Sequence, residues 1–350
     1  MREITIAGIR VADDTRACIV MDAGHNPGGD VKLACEMALS AYENGADIVK
    51  FQTRTTPKDV YQHRMYNRPV EGPQYFGKTY GQHREHIEFT DEEWHTIFEF
   101  CRCAGIPAIS TPFSFKAVDL LESCGVPAYK VASGDANNIP FLKYIAKKHK
   151  PVILSTGGCT ATEVHEAHDV FLNSGTPHAM LQCTCSYPPP SYALNLNAIS
   201  WFRKEFPFFV TGLSCHSLLW HPAIAAYALG ARIFEWHFTT DQTLKGTDNW
   251  FSLTPPMLKD MRDALDMTHA AMGEYVKAVH PCEVEPARER RKSLVWACDL
   301  PEGTEVRPEH IVLKCPGTGL GPEHLETAVG RVTRFEVKAD EFVQVPEVAW

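Results

Sequence analysis

Two histidines, His216 and His237, stand at or just past the ends of two apolar runs, Phe208 to Cys215 and Ala231 to Trp236. Between the runs, Pro222 opens an apolar helical stretch that closes at Leu229, before Gly230. This order reads as strand, loop, helix, strand. The two strands of such a unit run parallel, so their C-terminal ends leave the sheet on the same side. The spacing therefore predicts that His216 and His237 are neighbours in space. With acidic Glu235 and Asp248 close in sequence, two imidazoles suit a divalent metal. A pair of histidines alone fits capped loop ends equally well. The weight falls on what the other strand ends carry.

The elements that position these residues repeat with one rhythm. Buried strands are expected at Ala17–Ala23, Ile48–Gln52, Pro107–Ser110, Ala128–Ala132, Pro151–Ser155 and Ala179–Thr184, ahead of the two already described. Helical periodicity follows each of them. Thr90 with Glu93 is a capping-box signal, and Gly45 a C-cap signal. Eight strand–helix units over about 270 residues predict a (β/α)8 TIM barrel; a doubly wound open sheet is the alternative, since periodicity does not show closure. Thr53 to Phe89 interrupts the rhythm, and a connection this long is usually functional, often a lid. After Gly273 the rhythm stops. The expected organisation is a catalytic barrel over 1–272, a charged linker over 273–292 and a small β-rich domain over 293–350.

The strand ends of a barrel line its C-terminal face, where active sites are built. Here they carry Lys50 and Gln52, Ser110 and Thr111, Lys130 and Ser133, Ser155 and Thr156, Thr184 and Tyr187, then the two histidines. A desolvated ammonium needs an anionic partner, so Lys50 and Lys130 predict an anion-binding floor. The hydroxyls and the Gly157-Gly158 turn suit a phosphate or carboxylate, although any single Ser or Thr there more often caps a helix.

Composition narrows the class. A net charge of −9 argues against general nucleic-acid binding. No apolar run approaches the roughly 20 residues that cross a bilayer, and the N-terminus lacks a signal-peptide pattern. Twelve cysteines without zinc or redox spacing read as reduced thiols, with Cys18, Cys35, Cys101, Cys124 and Cys298 as small core residues, in a cytoplasmic protein.

The chain resembles the sialic acid synthase family over nearly its full length. The resemblance is carried by His25-Asn26, Gly45-Ala-Asp-Ile-Val-Lys-Phe-Gln-Thr53, Ser110-Thr-Pro-Phe113, Gly125-Val-Pro-Ala-Tyr-Lys-Val-Ala-Ser-Gly134, Lys150-Pro-Val-Ile-Leu-Ser-Thr-Gly157 and His237-Phe-Thr239. In the tail, Arg291-Lys-Ser-Leu-Val295 and Pro316-Gly-Thr-Gly-Leu320 resemble the family's antifreeze-like (SAF) domain. The resemblance implies condensation of phosphoenolpyruvate with an aldose, releasing phosphate, in a domain-swapped homodimer. It implies that Lys50, Thr111, Lys130, Ser133 and Ser155 hold phosphoenolpyruvate. His216 and His237 would bind Mn2+ or Mg2+, and Gln52, Tyr187, Asp248 and Cys315 would face the sugar. Asp135, with Lys50 and Lys130, is the expected catalytic group; the family carries Glu at its position.

Departures fall mainly on the sugar side. Val20 stands where the first strand usually carries Glu, with Asp22 nearby; Cys215 replaces Asp, Cys185 a polar residue often Asn, and Cys315 an Arg that reaches the sugar's N-acetyl group. These imply a changed aldose. Alternatives are a plain N-acetylneuraminate synthase, a non-catalytic sugar-binding paralogue, and an aldolase forming a Schiff base at Lys130.

Overall fold

The computed structural model describes residues 2–348. Two compact units divide the chain, one running to Gly273 and the other from Glu274. In the first, eight parallel strands close into a barrel. They are β3 (Cys18–Gly24), β4 (Ile48–Thr53), β5 (Ala108–Pro112), β6 (Tyr129–Val131), β7 (Val152–Ser155), β8 (His178–Cys183), β9 (Thr211–Ser214) and β10 (Ile233–His237). Strand β10 pairs with both β9 and β3, which excludes the open sheet. Near-continuous burial of these strands follows from helices covering the outer face.

The helices form where their caps allow. Asp30 caps α1 (Val31–Glu43) by accepting from the Leu33 amide. The capping box of Thr90 and Glu93 opens α5 (Asp91–Cys103), and Thr160 with Glu163 builds another for α6 (Ala161–Asn173). Gly45 has a positive φ, and a β-carbon there would meet Arg262 at 2.8 Å.

One element was not expected. Residues before the first barrel strand form an antiparallel hairpin, β1 (Glu3–Ile6) with β2 (Ile9–Ala12). Its Ile4, Ile6 and Val11 join one buried cluster with Cys18, Val20, Ile48, Ile109, Ile153, Leu181 and Ile233 of the barrel strands. The hairpin therefore plugs one end of the barrel interior. Each fully buried aliphatic of this kind contributes about 1.5–3 kcal/mol.

That cluster also organises the site, because inward-facing side chains recur every second residue along a strand. Two residues on from the apolar layer, Val20 gives way to Asp22, Ile48 to Lys50, Ala128 to Lys130, Ile153 to Ser155, Leu181 to Cys183 and Ile233 to Glu235. A dry layer thus supports a charged layer across the whole barrel.

The long segment after β4 holds three short helices, α2 (Pro57–Val60), α3 (His63–Tyr66) and α4 (Tyr80–Ile87), rather than irregular loop alone. The second unit contains α7 (Val284–Arg290), in the stretch expected as linker, and a two-stranded antiparallel sheet of β11 (Ser293–Trp296) and β12 (Ile311–Lys314). All twelve cysteines are free. Cys298 is exposed rather than a core residue, and Cys35 is half-buried. Among the described residues, no helix is long and apolar enough to cross a membrane.

Candidate active site

The expected residues of the barrel converge. A cavity of about 600 Å³ at the C-terminal strand ends is lined by Lys50, Gln52, Thr111, Lys130, Ser133, Asp135, Ser155, Tyr187, His216, His237 and Asp248. Cys315 lies in the second unit, where its thiol bonds the Arg290 carbonyl at 3.3 Å.

Register explains the centre of the cavity. Asp22 on β3 stands opposite Lys50 on β4 and opposite His237 on β10. The Lys50 ammonium lies 2.8 Å from Asp22 and 3.4 Å from Glu235. Glu235 is also 3.4 Å from the Lys130 ammonium, so one carboxylate bridges both lysines. Lys50 donates to the Thr111 hydroxyl at 3.2 Å, and Lys130 to Ser155 Oγ at 2.7 Å. All four charged groups are buried. Burial alone would raise the Asp22 and Glu235 carboxyls; Lys50 with His237, and Lys130 with Lys50, outweigh it and hold both below their ordinary values. Burial lowers Lys130, against the pull of Glu235.

Glu235 is expected from its place beside the histidines, but its bridge to both lysines is not, and Asp22 enters the sequence reading only as an acid near Val20. Val20 is the residue that faces the dry layer, and the acid at the end of the first barrel strand is Asp22. The signal was available: both carboxylates sit two residues beyond an inward aliphatic, at the step where every other strand turns polar.

His216 follows β9 by two residues, and His237 ends β10; their ring centroids are 5.3 Å apart. Burial, with His237 adding to it, pushes His216 down to about 4, so it is a neutral imidazole near pH 7. His237 Nδ1 is buried without a hydrogen-bond partner, 3.7 Å from carboxylate oxygens of both Asp22 and Asp248. A neutral donor and an orphaned ring nitrogen fit a divalent cation that takes two protein ligands and completes its shell with water or substrate oxygen. No group of three or more His, Cys, Asp or Glu among the described residues is arranged to cage a metal. Asp248 is itself held by His25, Nε2 to carboxylate 3.2 Å, and lies well below the usual carboxylate range because His25 and His237 outweigh its burial.

The floor beside Lys130 is close-packed. Gly157 donates its amide to Ser133 Oγ at 2.9 Å. A β-carbon on Gly157 would meet Cys185 Sγ at 2.6 Å, Ser133 Oγ at 3.0 Å and Cys183 Sγ at 3.1 Å, so a side chain there would displace these groups. The Cys185 thiol is held down at about 6, chiefly by hydrogen bonding with Cys183, with Ser133 and Lys130 assisting against burial. Asp135 is half-buried; burial raises its carboxyl although Asn138 donates to it at 3.0 Å.

Comparison with known proteins fits this geometry. Residues 37–277 match the NeuB family. The chain is 32% identical to human N-acetylneuraminate-9-phosphate synthase over 93% of its own length and 90% of that protein. It is 32% identical to N,N'-diacetyllegionaminic acid synthase of Legionella pneumophila, over 93% of each chain. Among solved structures, the N-acetylneuraminic acid (sialic acid) synthetase of Leptospira borgpetersenii, in complex with citrate, aligns with a TM-score of 0.72 at 29% identity, covering 81% of this chain and 95% of that one. A family match over more than half the chain, with near-full-length relatives above 30% identity, places this protein in the NeuB family of sialic acid synthase-like enzymes.

Proposed function

We propose that this enzyme condenses phosphoenolpyruvate with an aldose to a 2-keto-3-deoxy sugar acid, releasing phosphate. The observation that carries the reading is the single cavity in which two buried lysines, three hydroxyls and a histidine pair meet. Family membership supports the reaction class. Lys50 and Lys130, with Thr111, Ser133 and Ser155, bind the carboxylate and phosphate of phosphoenolpyruvate through charge-assisted hydrogen bonds. Before substrate arrives the two ammoniums lie within ion-pairing distance of Asp22 and Glu235.

A divalent cation, Mn2+ or Mg2+, bound by His216 and His237 would supply Lewis-acid polarisation of the aldehyde. The chain's own groups do the rest. Gln52, Tyr187 and Asp248 orient the open-chain aldose so that its carbonyl carbon meets C3 of phosphoenolpyruvate. As the C–C bond forms, positive charge develops at C2, and Glu235 and Asp22 are placed to stabilise it. Asp135, its carboxyl raised by burial, takes a proton from the water that adds to C2. The tetrahedral centre then expels phosphate and leaves the 2-keto acid.

The proposal includes an aldose other than N-acetylmannosamine, because Cys185, Cys215 and Cys315 replace polar groups that the family presents. It also includes a domain-swapped homodimer in which the tail domain completes the partner's site, so truncation after about Val284 should abolish turnover. Incubation with phosphoenolpyruvate and a panel of free and phosphorylated hexoses and hexosamines should give aldose-dependent phosphate release. Borohydride trapping of a pyruvate adduct on Lys130, with no phosphate released, would establish the aldolase instead.

A further inference from the structure

Two arginines of the cavity belong to the segment after β4 and are not used by the reaction above. Arg54 is buried at 4% exposure, its guanidinium stacked 3.8 Å over the Phe113 ring. Its Nε donates to the Tyr61 hydroxyl at 2.9 Å and its Nη2 to Gln52 Oε1 at 3.0 Å. Arg84, on α4, is held in the same way: Nε donates to the Tyr80 hydroxyl at 3.0 Å, and Nη1 lies 3.3 Å from His25. The rings of Tyr61 and Tyr80 meet edge-on at 5.1 Å. Each phenol thus fixes one guanidinium, and the two arginines are separated only by Gln52 and His25, themselves 3.4 Å apart.

This arrangement leaves donors without acceptors. Arg54 Nη1 and Arg84 Nη2 have no protein partner among the described residues, and neither guanidinium reaches a carboxylate within ion-pairing distance. The nearest acids are committed elsewhere. Glu88 accepts from the Arg54 amide and the Trp94 indole, and Asp248 from His25. Burial, reinforced by Arg84 and Arg54 and opposed by Asp248, lowers His25, so the two guanidiniums are the standing positive charges at this end. The lysines differ, because each already faces a carboxylate.

We infer that Arg54 and Arg84 form a second oxyanion site, and that the aldose condensed here carries an anionic group, a phosphomonoester or a carboxylate, remote from its aldehyde. The inference rests on the proposed function and names the substrate class for it. Phosphoenolpyruvate has both of its anions met by the strand-end lysines and hydroxyls, on the other side of Gln52, whose amide nitrogen donates to Asp22 at 2.9 Å. Position also matches. His237, Asp248, His25 and Arg84 follow one another across contacts of 3.7, 3.2 and 3.3 Å. An aldose with its carbonyl at His237 directs its far end along this line to the arginines. Planar guanidiniums bind phosphate or carboxylate through paired N–H donors, which suits a fixed anion better than a flexible ammonium does.

The test is calorimetric binding to the full chain at saturating phosphoenolpyruvate, with a metal chelator present so that no turnover occurs. Each neutral hexose or hexosamine of a panel is compared with its 6-phosphate and its uronic acid. For at least one sugar, an anionic form should bind tenfold or more tighter than the neutral form; whichever anion binds tighter identifies the group. R54A and R84A should each remove most of that preference, losing more affinity for the anionic sugar than for phosphoenolpyruvate. Neutral and anionic sugars binding within threefold of each other in the unaltered protein, which needs no variant to fold, would overturn the inference. So would variants that lose phosphoenolpyruvate at least as strongly as the sugar, since the arginines would then serve the first substrate. If anionic sugars bind preferentially but no aldose releases phosphate, the condensation falls and the anion site stands.

Discussion

The two ends of the cavity are charged by different means. At the strand ends, Lys50 and Lys130 share Asp22 and Glu235 in a buried, nearly neutral cluster. At the other end, Arg54 and Arg84 are fixed by phenols and face no carboxylate within ion-pairing distance. The first arrangement stands on barrel strands over a dry aliphatic layer; in the second, Arg54 directly follows β4 and Arg84 lies on the short helix α4. The contrast teaches that the proposed reaction floor is charge-paired before substrate arrives, whereas the inferred anion site leaves guanidinium donors open.

The contrast breaks first at the histidines. His237→Ala should cut aldose-dependent phosphate release by about 10²–10³-fold, the size of losing one transition-state stabiliser, and should abolish stimulation by Mn2+. A variant that turns over normally with a full equivalent of metal would remove His237 from the site. Next comes the floor. Lys130→Met removes a charge-assisted partner whose loss costs about 2–5 kcal/mol, so the dissociation constant for phosphoenolpyruvate should rise at least about thirtyfold. An unfolded variant would make Lys130 a structural residue.

How far the sequence carried this account follows from the same contrast. The barrel was legible because strands buried on both faces read as continuous apolar runs between capped helices. Lys50, Lys130 and the histidines stood out because charge at the end of such a run has no structural reason to be there. Glu235 was legible only as an acid beside the histidines; its pairing with the lysines, and the place of Asp22, lay inside the runs, and counting by two from Val20 and Ile233 recovers them. Arg54 and Arg84 were not legible, since neither periodicity nor spacing marks which arginines of an irregular segment turn inward. The hairpin of β1 and β2 was missed for another reason: its partner is the barrel floor, a contact with no local pattern.

The smaller effects sharpen the same picture. Ile6→Ala opens a cavity below the floor and should cost about 2–5 kcal/mol of stability, read as a lowered melting temperature, while phosphoenolpyruvate affinity stays the same. A loss of affinity without a loss of stability would show that the hairpin does more than plug the barrel. The mildest test is chemical. Cys185, held at about 6, becomes thiolate as pH rises through that value. Its alkylation by iodoacetamide should therefore approach a plateau by pH 7, whereas an unperturbed thiol is still mostly protonated there, and phosphoenolpyruvate should slow it. A labelling rate that keeps climbing to pH 9 would contradict the depressed thiol.

The most direct test of the central claim follows one oxygen atom. Phosphoenolpyruvate labelled with 18O at the atom bridging C2 and phosphorus is turned over with an active aldose, and both products are weighed by mass spectrometry. Addition of water at C2, followed by expulsion of phosphate, predicts that the label leaves in inorganic phosphate and that the sugar acid's keto oxygen comes from water. Label retained in the keto acid would mean cleavage at phosphorus, and would contradict the reaction assigned to Lys50, Lys130, Glu235 and Asp135.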